Sequence, residues 1–392
     1  MEEEDKVEEE KSVGSPDVVN KYKTAAEIAD KAIAAVSAKV AAGVDVVSLC
    51  ALGDSVITES TAGVYNKAKT EKGDKIEKGV AFPTCVSVNN CVCHFSPMSD
   101  DPTLLKDGDI ISIDLGCHID GYIALAARSV VVGNEELTGK AADALMAAYV
   151  AGEAVLRALR PGKTNYDVTE IINRAAIDFG VEVVEGSLSH QMKRYVIDGN
   201  KAIIGKPTYE HRVEDISFEE NEVYAIDIAM STGEGKLKEA RVRSTVFKRQ
   251  VDVEYMLKMK ASRQVFSEIN AKSPALPFVL RALSDEQKCK LGMTELLTHG
   301  LVVGYPVLYE KEGEIVGRIK YTALVMPSQT IRVTSVQQPQ NVKSAKEVKD
   351  QNLKDLLAQE VDKKKKKKKD KKKPEGVEAP PATEDGAQKM EM

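Results

Sequence analysis

The sequence predicts a mixed α/β (α+β) fold made of two related halves, and three observations carry that expectation. Helical periodicity runs from Val18 to Ala29 and returns at about 134–159 and 165–179. Strand-like runs separate these helices, the clearest being "DIISIDLG" and "YIALAARSVVV" around a turn at Asp120-Gly121. A faint internal echo links the halves: a helix, a strand and "SIDLG" are answered by "PGKTNYDVTEII", a strand and "AIDIA". Asp114 and Asp227 fall at matching points of the echo, which would bring both to one cleft near a pseudo-twofold axis.

In chain order, residues 1–14 are acidic and expected to be disordered. The first helix opens on Ser15 as cap, Pro16 in the first turn and Asp17 against the dipole. Val18, Val19, Tyr22, Ala25, Ala26 and Ala29 then give its apolar stripe. A second helix is expected from Val44 to about Lys67, after the break at Gly43. Val86, Val88 and Val92 read as one extended segment, followed by the hairpin over 109–133. The next two helices are separated by Pro161-Gly162, and 181–251 is strand-rich. Residues 257–300 carry seven Lys/Arg against four Asp/Glu and read as a basic helical insertion. Strands return at "YPVLYE" and "GRIKYTALVMP". The domain is expected to span 15–340, with 341–392 a polar tail holding an amphipathic stretch (Leu353, Leu356, Leu357, Val361) and a lysine run over 363–373.

Composition narrows the class. A hydrophobic fraction of 43% in 392 residues suits a chain with a sizeable core, and the absence of Trp and scarcity of Phe make that core aliphatic. The net charge of −6 hides a split, because the run from Lys363 to Lys373 holds ten Lys and one Asp. An acidic body with a cationic tail points to an anionic partner reached through the tail. The six cysteines (Cys50, Cys85, Cys91, Cys93, Cys117, Cys289) form no paired framework and are expected to be reduced thiols. No secretory signal is expected at the acidic N-terminus, and no apolar run approaches the roughly 18 residues of a membrane span.

Asp114 lies between Ile113 and Leu115, and Asp227 between Ile226 and Ile228. A carboxylate in a buried apolar strand is costly unless it is paired, hydrogen-bonded or metal-bound. Two in matched contexts favour a shared site over two unrelated hydrogen-bonded residues. Other motifs carry less. Cys91 and Cys93 would point to one face of a strand and His94 to the other, with no fourth ligand nearby, so core cysteines are favoured over zinc. Gly199 to Lys206 has the wrong spacing for a phosphate loop, and Pro207 stands where Ser/Thr would be needed. Gly233-x-Gly235 reads as a turn, and His118, His211 and His299 as surface or turn histidines.

The blocks "SVNNCVCHFSP", "IDLGCHIDGYI", "GSLSHQM" and "NEVYAIDIAMSTGEG" resemble the successive signature blocks of type II methionine aminopeptidase. They are more similar still to its non-peptidase relatives, the proliferation-associated or ErbB-receptor-binding proteins. The resemblance implies a pita-bread fold of two pseudo-symmetric α/β halves with a curved central sheet and a helical insertion. In the peptidases five side chains hold two metal ions. By resemblance those positions are Asp114, Leu125 in place of an Asp, His190, Asp227 in place of a Glu, and Lys320 in place of a Glu. The histidine flanking the scissile bond falls on His94.

Leu125 and Lys320 stand where the family has its two bridging ligands, and two-metal catalysis needs both metals held together. Leu125 has no lone pair. A Lys cation about 4 Å from a divalent ion is repelled by roughly 4 kcal/mol per unit charge at an effective dielectric near 20. Lys320 is therefore expected to pair with Asp114 or Asp227, leaving a vestigial cleft of His94, Asp114, His190 and Asp227 with no cofactor and no metal. The resemblance implies a pseudo-peptidase that binds RNA, ribosomal particles and protein partners. It further implies DNA contact through complexes, a monomer without membrane insertion, and a cytoplasmic and nuclear or nucleolar location with a role in growth, ribosome biogenesis, translation or transcription. Lys363, Lys364, Lys365, Lys366, Lys367, Lys368, Lys369, Lys371, Lys372 and Lys373 are the candidate nucleic-acid contacts. Three other readings stay open: an active metallo-aminopeptidase with an altered metal site, metal-free chemistry through His94 and His190, and a purely protein-binding scaffold whose tail serves import.

Overall fold

A computed structural model describes residues 12–70, 73–239 and 242–360. The acidic start and the whole lysine run, Lys363 to Lys373, lie outside the described residues. The chain begins with α1 (Pro16–Ser37) and α2 (Val46–Ala62), then β1 (Lys78–Val88), β2 (Cys91–Cys93) and the hairpin β3 (Ile110–Ile119) and β4 (Tyr122–Val131). Next come α3 (Gly139–Ala158), α4 (Asn165–Phe179), β5 (Glu182–Val183), β6 (Leu188–Met192), β7 (Ala202–Ile204), β8 (Glu222–Ser231), β9 (Lys238–Glu239) and β10 (Val246–Arg249). The remainder is α5 (Lys260–Lys272), β11 (Phe278–Val279), α6 (Glu286–Thr298), β12 (Val302–Gly304), β13 (Leu308–Tyr309), β14 (Val316–Val325), β15 (Thr330–Arg332) and α7 (Gln351–Leu357).

Nine strands make one antiparallel sheet in the order β1-β3-β4-β14-β8-β6-β7, with β15 on β14 and β5 on β8. The duplication legible in the sequence is visible here. Helices α1 and α2 pack on β1, β3 and β4, while α3 and α4 pack on β8, β14, β5 and β7. The halves join where β4 meets β14, paired at Ala127↔Lys320 and Arg128↔Ile319.

Strand periodicity decides what each face carries. On β3, Ile111, Ile113, Leu115, Cys117 and Ile119 pack into the first helical layer. On β8 and β14, Tyr224, Ile226, Ile228, Met230, Ile319, Tyr321 and Ala323 pack under α3 and α4. The alternate residues, Asp114, Leu125, Asp227, Arg318 and Lys320, are thereby committed to the opposite face.

Several expectations need correction. Ser15 stands at the N-cap of α1, but its hydroxyl receives no helix N–H, and the helix opens on Pro16 instead. Helix α2 stops at Ala62, short of Lys67, with Gly63 at its C-cap. Helix α3 starts at Gly139 rather than near 134. Of "YPVLYE", β13 takes only Leu308–Tyr309. Residues 341–360 were expected in a polar tail, yet they pack on the body. Leu353 of α7 is fully buried, and Asp350 meets Arg174 at 2.7 Å.

The insertion is helical as expected, with a core of its own built from Val265, Ile269, Phe278, Leu296 and Leu301. Four of its seven cations are paired with carboxylates. Lys272 pairs with Glu268 at 2.8 Å, Lys288 with Asp285 at 3.0 Å, Arg281 with Asp54 at 3.0 Å and Lys290 with Asp100 at 3.3 Å.

The hairpin turn has Asp120 at φ 56° and Gly121 at φ 77°, the two positive values of a type I′ turn. His118 beside it is only 8% exposed, so it is not a surface histidine. Its Nδ1 accepts the Gly121 N–H at 3.3 Å. Burial pushes its pKa down to about 4, against a weaker pull from Asp120. An unfolded histidine titrates near ~6.5, so between these values the unfolded chain binds the extra proton. Stability present above about pH 6.5 is then lost as the pH falls toward about 4. His118→Gln should remove about 2–3 kcal/mol of that acid-side loss, measured as the wild-type-minus-variant difference in urea unfolding at neutral and mildly acidic pH.

Candidate functional site

Register brings the expected residues together. Asp114 on β3 lies opposite Ala127 on β4, Ala127 opposite Lys320 on β14, and Lys320 opposite Asp227 on β8. Directly opposed residues share a face, so this row crosses the junction of the halves with all its polar groups on one side. Lys320 Nζ reaches Asp114 Oδ2 at 2.7 Å and Asp227 Oδ2 at 3.1 Å. The expected pairing of Lys320 with one Asp is thus a pairing with both.

A second cation completes the cluster. Arg318 Nε donates to Asp227 Oδ1 at 2.7 Å, and its Nη2 contacts Asp227 Oδ2 and lies 2.9 Å from Asp114 Oδ2. Sequence reasoning missed Arg318. The signal was present, because Arg318 and Lys320 are two apart on one strand of "GRIKYTALV" and must share a face. Arg318, Lys320 and Asp114 are all buried, and their charges cancel within the cluster together with Asp227. Burial works against the Asp227 charge, but Arg318 and then Lys320 outweigh it and hold the carboxyl well below the usual range. Burial likewise opposes the Arg318 charge, and Asp227 and Asp114 override it, keeping the guanidinium protonated. Lys320 also lies over the Phe82 ring, 5.6 Å from its centroid.

Leu125 is buried in an apolar cluster with Phe82, Ile123 and Ala225. It leans over Gly116, where an added Cβ would come within 2.4 Å of its Cδ2. Its backbone is held by Thr322, whose hydroxyl accepts the Leu125 N–H at 2.8 Å.

The two retained histidines differ. His94 sits in left-handed backbone at φ 66°. Its Nδ1–H donates to the Pro306 carbonyl at 2.9 Å, and its ring packs edge-on against Tyr305, 5.3 Å between centroids. His190 has a buried Nδ1 without a hydrogen-bond partner. Burial, then the neighbouring Lys320, lower its pKa, so the ring is neutral at pH 7. Both histidines, Asp227, Leu125, Arg318 and Lys320 line one cavity of ≈280 Å³, while Asp114 lies behind the two cations.

Metals would have to be held by this set, and it does not fit them. Leu125 offers carbon, Lys320 and Arg318 offer positive charge, and both Asp carboxylates already accept from those cations. Among the described residues no group of three or more His, Cys, Asp or Glu is placed to hold a metal ion. Lys320 is itself engaged by both carboxylates. The six cysteines are free and buried, Cys91 and Cys93 among them.

Fold and site together define a two-halved α/β scaffold in which Arg318 and Lys320 sit between Asp114 and Asp227. The chain belongs to metallopeptidase family M24, which matches residues 20–250. Within that family it is 49% identical over 336 residues to the ErbB-3 binding protein 1 of Solanum tuberosum, covering 86% of each chain. It is 38% identical over 354 residues to the curved DNA-binding protein of Schizosaccharomyces pombe, covering 88% of this chain and 91% of that one. Among solved structures, a thermophilic Arx1 matches with a TM-score of 0.82 at 28% identity, over 89% of this chain and 99% of that one. These similarities bear out the pita-bread fold and the branch to which the signature blocks pointed. Among the described residues, no helix is long and apolar enough to cross a membrane.

Proposed function

We propose that this chain is a catalytically inactive M24 protein that works by binding RNA, ribosomal particles and protein partners. In this reading it regulates growth, ribosome biogenesis, translation or transcription, acts as a monomer, and divides between the cytoplasm and the nucleus or nucleolus. The observation that carries the loss of activity is the Arg318–Lys320 pair seated between Asp114 and Asp227. Two cations fill the space between the carboxylates that would otherwise face metal, and Leu125 removes a further donor.

The nucleic-acid arm is supported by the lysine run Lys363 to Lys373 and by the similarity to the curved DNA-binding protein of Schizosaccharomyces pombe. The protein-partner arm is supported by the similarity to the ErbB-3 binding protein 1 of Solanum tuberosum. Metal analysis of the purified full chain, paired with an assay on Met-initiated peptides, tests inactivity. The expected outcome is no bound metal pair and no turnover with added divalent ions; two metals per chain with turnover would sink it. Crosslinking in cells followed by sequencing of bound RNA tests the other arm, with ribosomal RNA expected.

A further inference from the structure

Cys93 is the last residue of β2 and lies in the lining of the ≈280 Å³ cavity, together with His94 and Arg318. Strand alternation alone would send His94 to the face opposite Cys93. The strand ends at Cys93, however, and His94 takes left-handed backbone at φ 66°, so both residues line one cavity. The thiol stands beside the imidazole. Burial opposes a charged His94 ring, and Cys93, in electrostatic and hydrogen-bond contact with it, is the largest influence in favour, so the His94 pKa lies above its ordinary value. Arg318 is also favoured as a cation by the Cys93 charge. The Nδ1–H of His94 is committed to the Pro306 carbonyl, which leaves Nε2 to take the thiol proton. The other five thiols differ. Cys50, Cys85, Cys91, Cys117 and Cys289 are at most 3% exposed, against 7% for Cys93. Burial pushes all five up, away from the thiolate form that reacts. The cavity lining includes Leu188, which is 42% exposed, so the space around Cys93 communicates with the surface.

We infer that Cys93, paired with His94 in this cavity, is a site of covalent addition for small α,β-unsaturated carbonyl compounds. A thiol activated by an adjacent base is the arrangement that makes sulfur nucleophilic at neutral pH. The step balances without a co-reactant. The Cys93 S–H proton passes to His94 Nε2, and Sγ bonds to the β-carbon of the electrophile. The π pair of the C=C bond moves to give an enolate, and the α-carbon then takes the proton back from Nε2. One C–S bond forms, one C=C π bond is lost, and no group leaves. Cys93 packs with Val184, Ala229 and Val316, so a short alkyl chain on the electrophile meets apolar neighbours. The cavity holds on the order of nine waters at about 30 Å³ each, which admits a short-chain enal or a maleimide ring and shuts out a reagent carrying a dye. This inference goes beyond the proposed function and does not depend on it: the addition uses no metal and no nucleic acid, and one adduct per chain is not turnover.

The full chain, folded and reduced, would be exposed to 2-hexenal or N-ethylmaleimide for timed intervals, quenched, digested and read by mass spectrometry at each of the six cysteines. Cys93 is expected to gain its adduct roughly tenfold faster than any other cysteine, to a limit of one per chain. In urea the six should react at similar rates, which ties the preference to the fold. A fluorescein maleimide should lose the preference for Cys93, because the dye does not fit the cavity. Cys93→Ser should abolish the fast adduct. His94→Gln should slow the addition at Cys93 roughly tenfold at pH 7, and the gap should close toward about pH 9, where an ordinary thiol ionises without a base. A merely structural role for His94 would slow the reaction equally at every pH. Folded protein in which Cys93 reacts no faster than the other five overturns the inference, as does a His94→Gln rate that matches wild type throughout.

Discussion

Asp114→Ala is expected to destabilise the fold by about 3–5 kcal/mol, read as a lower urea midpoint. Asp114 is 1% exposed and accepts from Lys320 at 2.7 Å and Arg318 at 2.9 Å. Its removal leaves two buried cations sharing one carboxylate, which is the costly case of an uncompensated buried charge. Asp114→Ala combined with Lys320→Met restores charge balance, because Arg318 and Asp227 remain as a bidentate pair. The double variant should therefore be more stable than Asp114→Ala alone, with a coupling energy of about 1–3 kcal/mol. Additive losses would show that the cluster is not a coupled unit. The same cluster predicts acid sensitivity. Asp227 has a folded pKa held below its unfolded value, so its contribution is present above about pH 3.9 and is lost as the pH falls through the folded value. In Lys320→Met the acid-side slope below about pH 4 should be shallower than in wild type.

How much of this was legible in the sequence depended on the reach of each interaction. Asp114 and Asp227 stood out because one carboxylate in an apolar strand is a local anomaly. Leu125 and Lys320 stood out because the surrounding blocks resemble a family with acids there. Arg318 had no such flag, and only the strand period two residues from Lys320 pointed to it. That Lys320 bridges both Asp residues was out of reach, because the β4–β14 junction joins segments almost two hundred residues apart. Hairpin chemistry at Asp120-Gly121 was local and was read correctly, but the burial of His118 beside it comes from non-local packing. The insertion misled by charge count, since Asp54 and Asp100, distant in sequence, neutralise Arg281 and Lys290. Leu353 read as amphipathic, yet its burial depends on the layer beneath it, formed by α3 and α4.

Removing residues 363–373 is expected to produce the largest change in nucleic-acid affinity. Each lysine–phosphate contact with a single strand contributes about −0.7 to the slope of log affinity against log salt. If six of the ten lysines engage at once, the run alone contributes a slope of about −4. A fourfold rise in salt would then cost roughly three hundredfold in affinity in the intact chain and far less in the deletion. Replacing the ten lysines by Gln keeps the chain length and should give the same loss, separating charge from length. No aromatic residue lies in the run, so base stacking is not on offer. Two unrelated single-stranded RNAs of equal length should therefore gain nearly equal affinity from the run. Measuring both RNAs at several salt concentrations decides the matter. An unchanged slope after deletion moves binding to the folded body. A slope that falls equally for both RNAs places the electrostatic contact in the run, and leaves any sequence preference to be sought on the M24 domain.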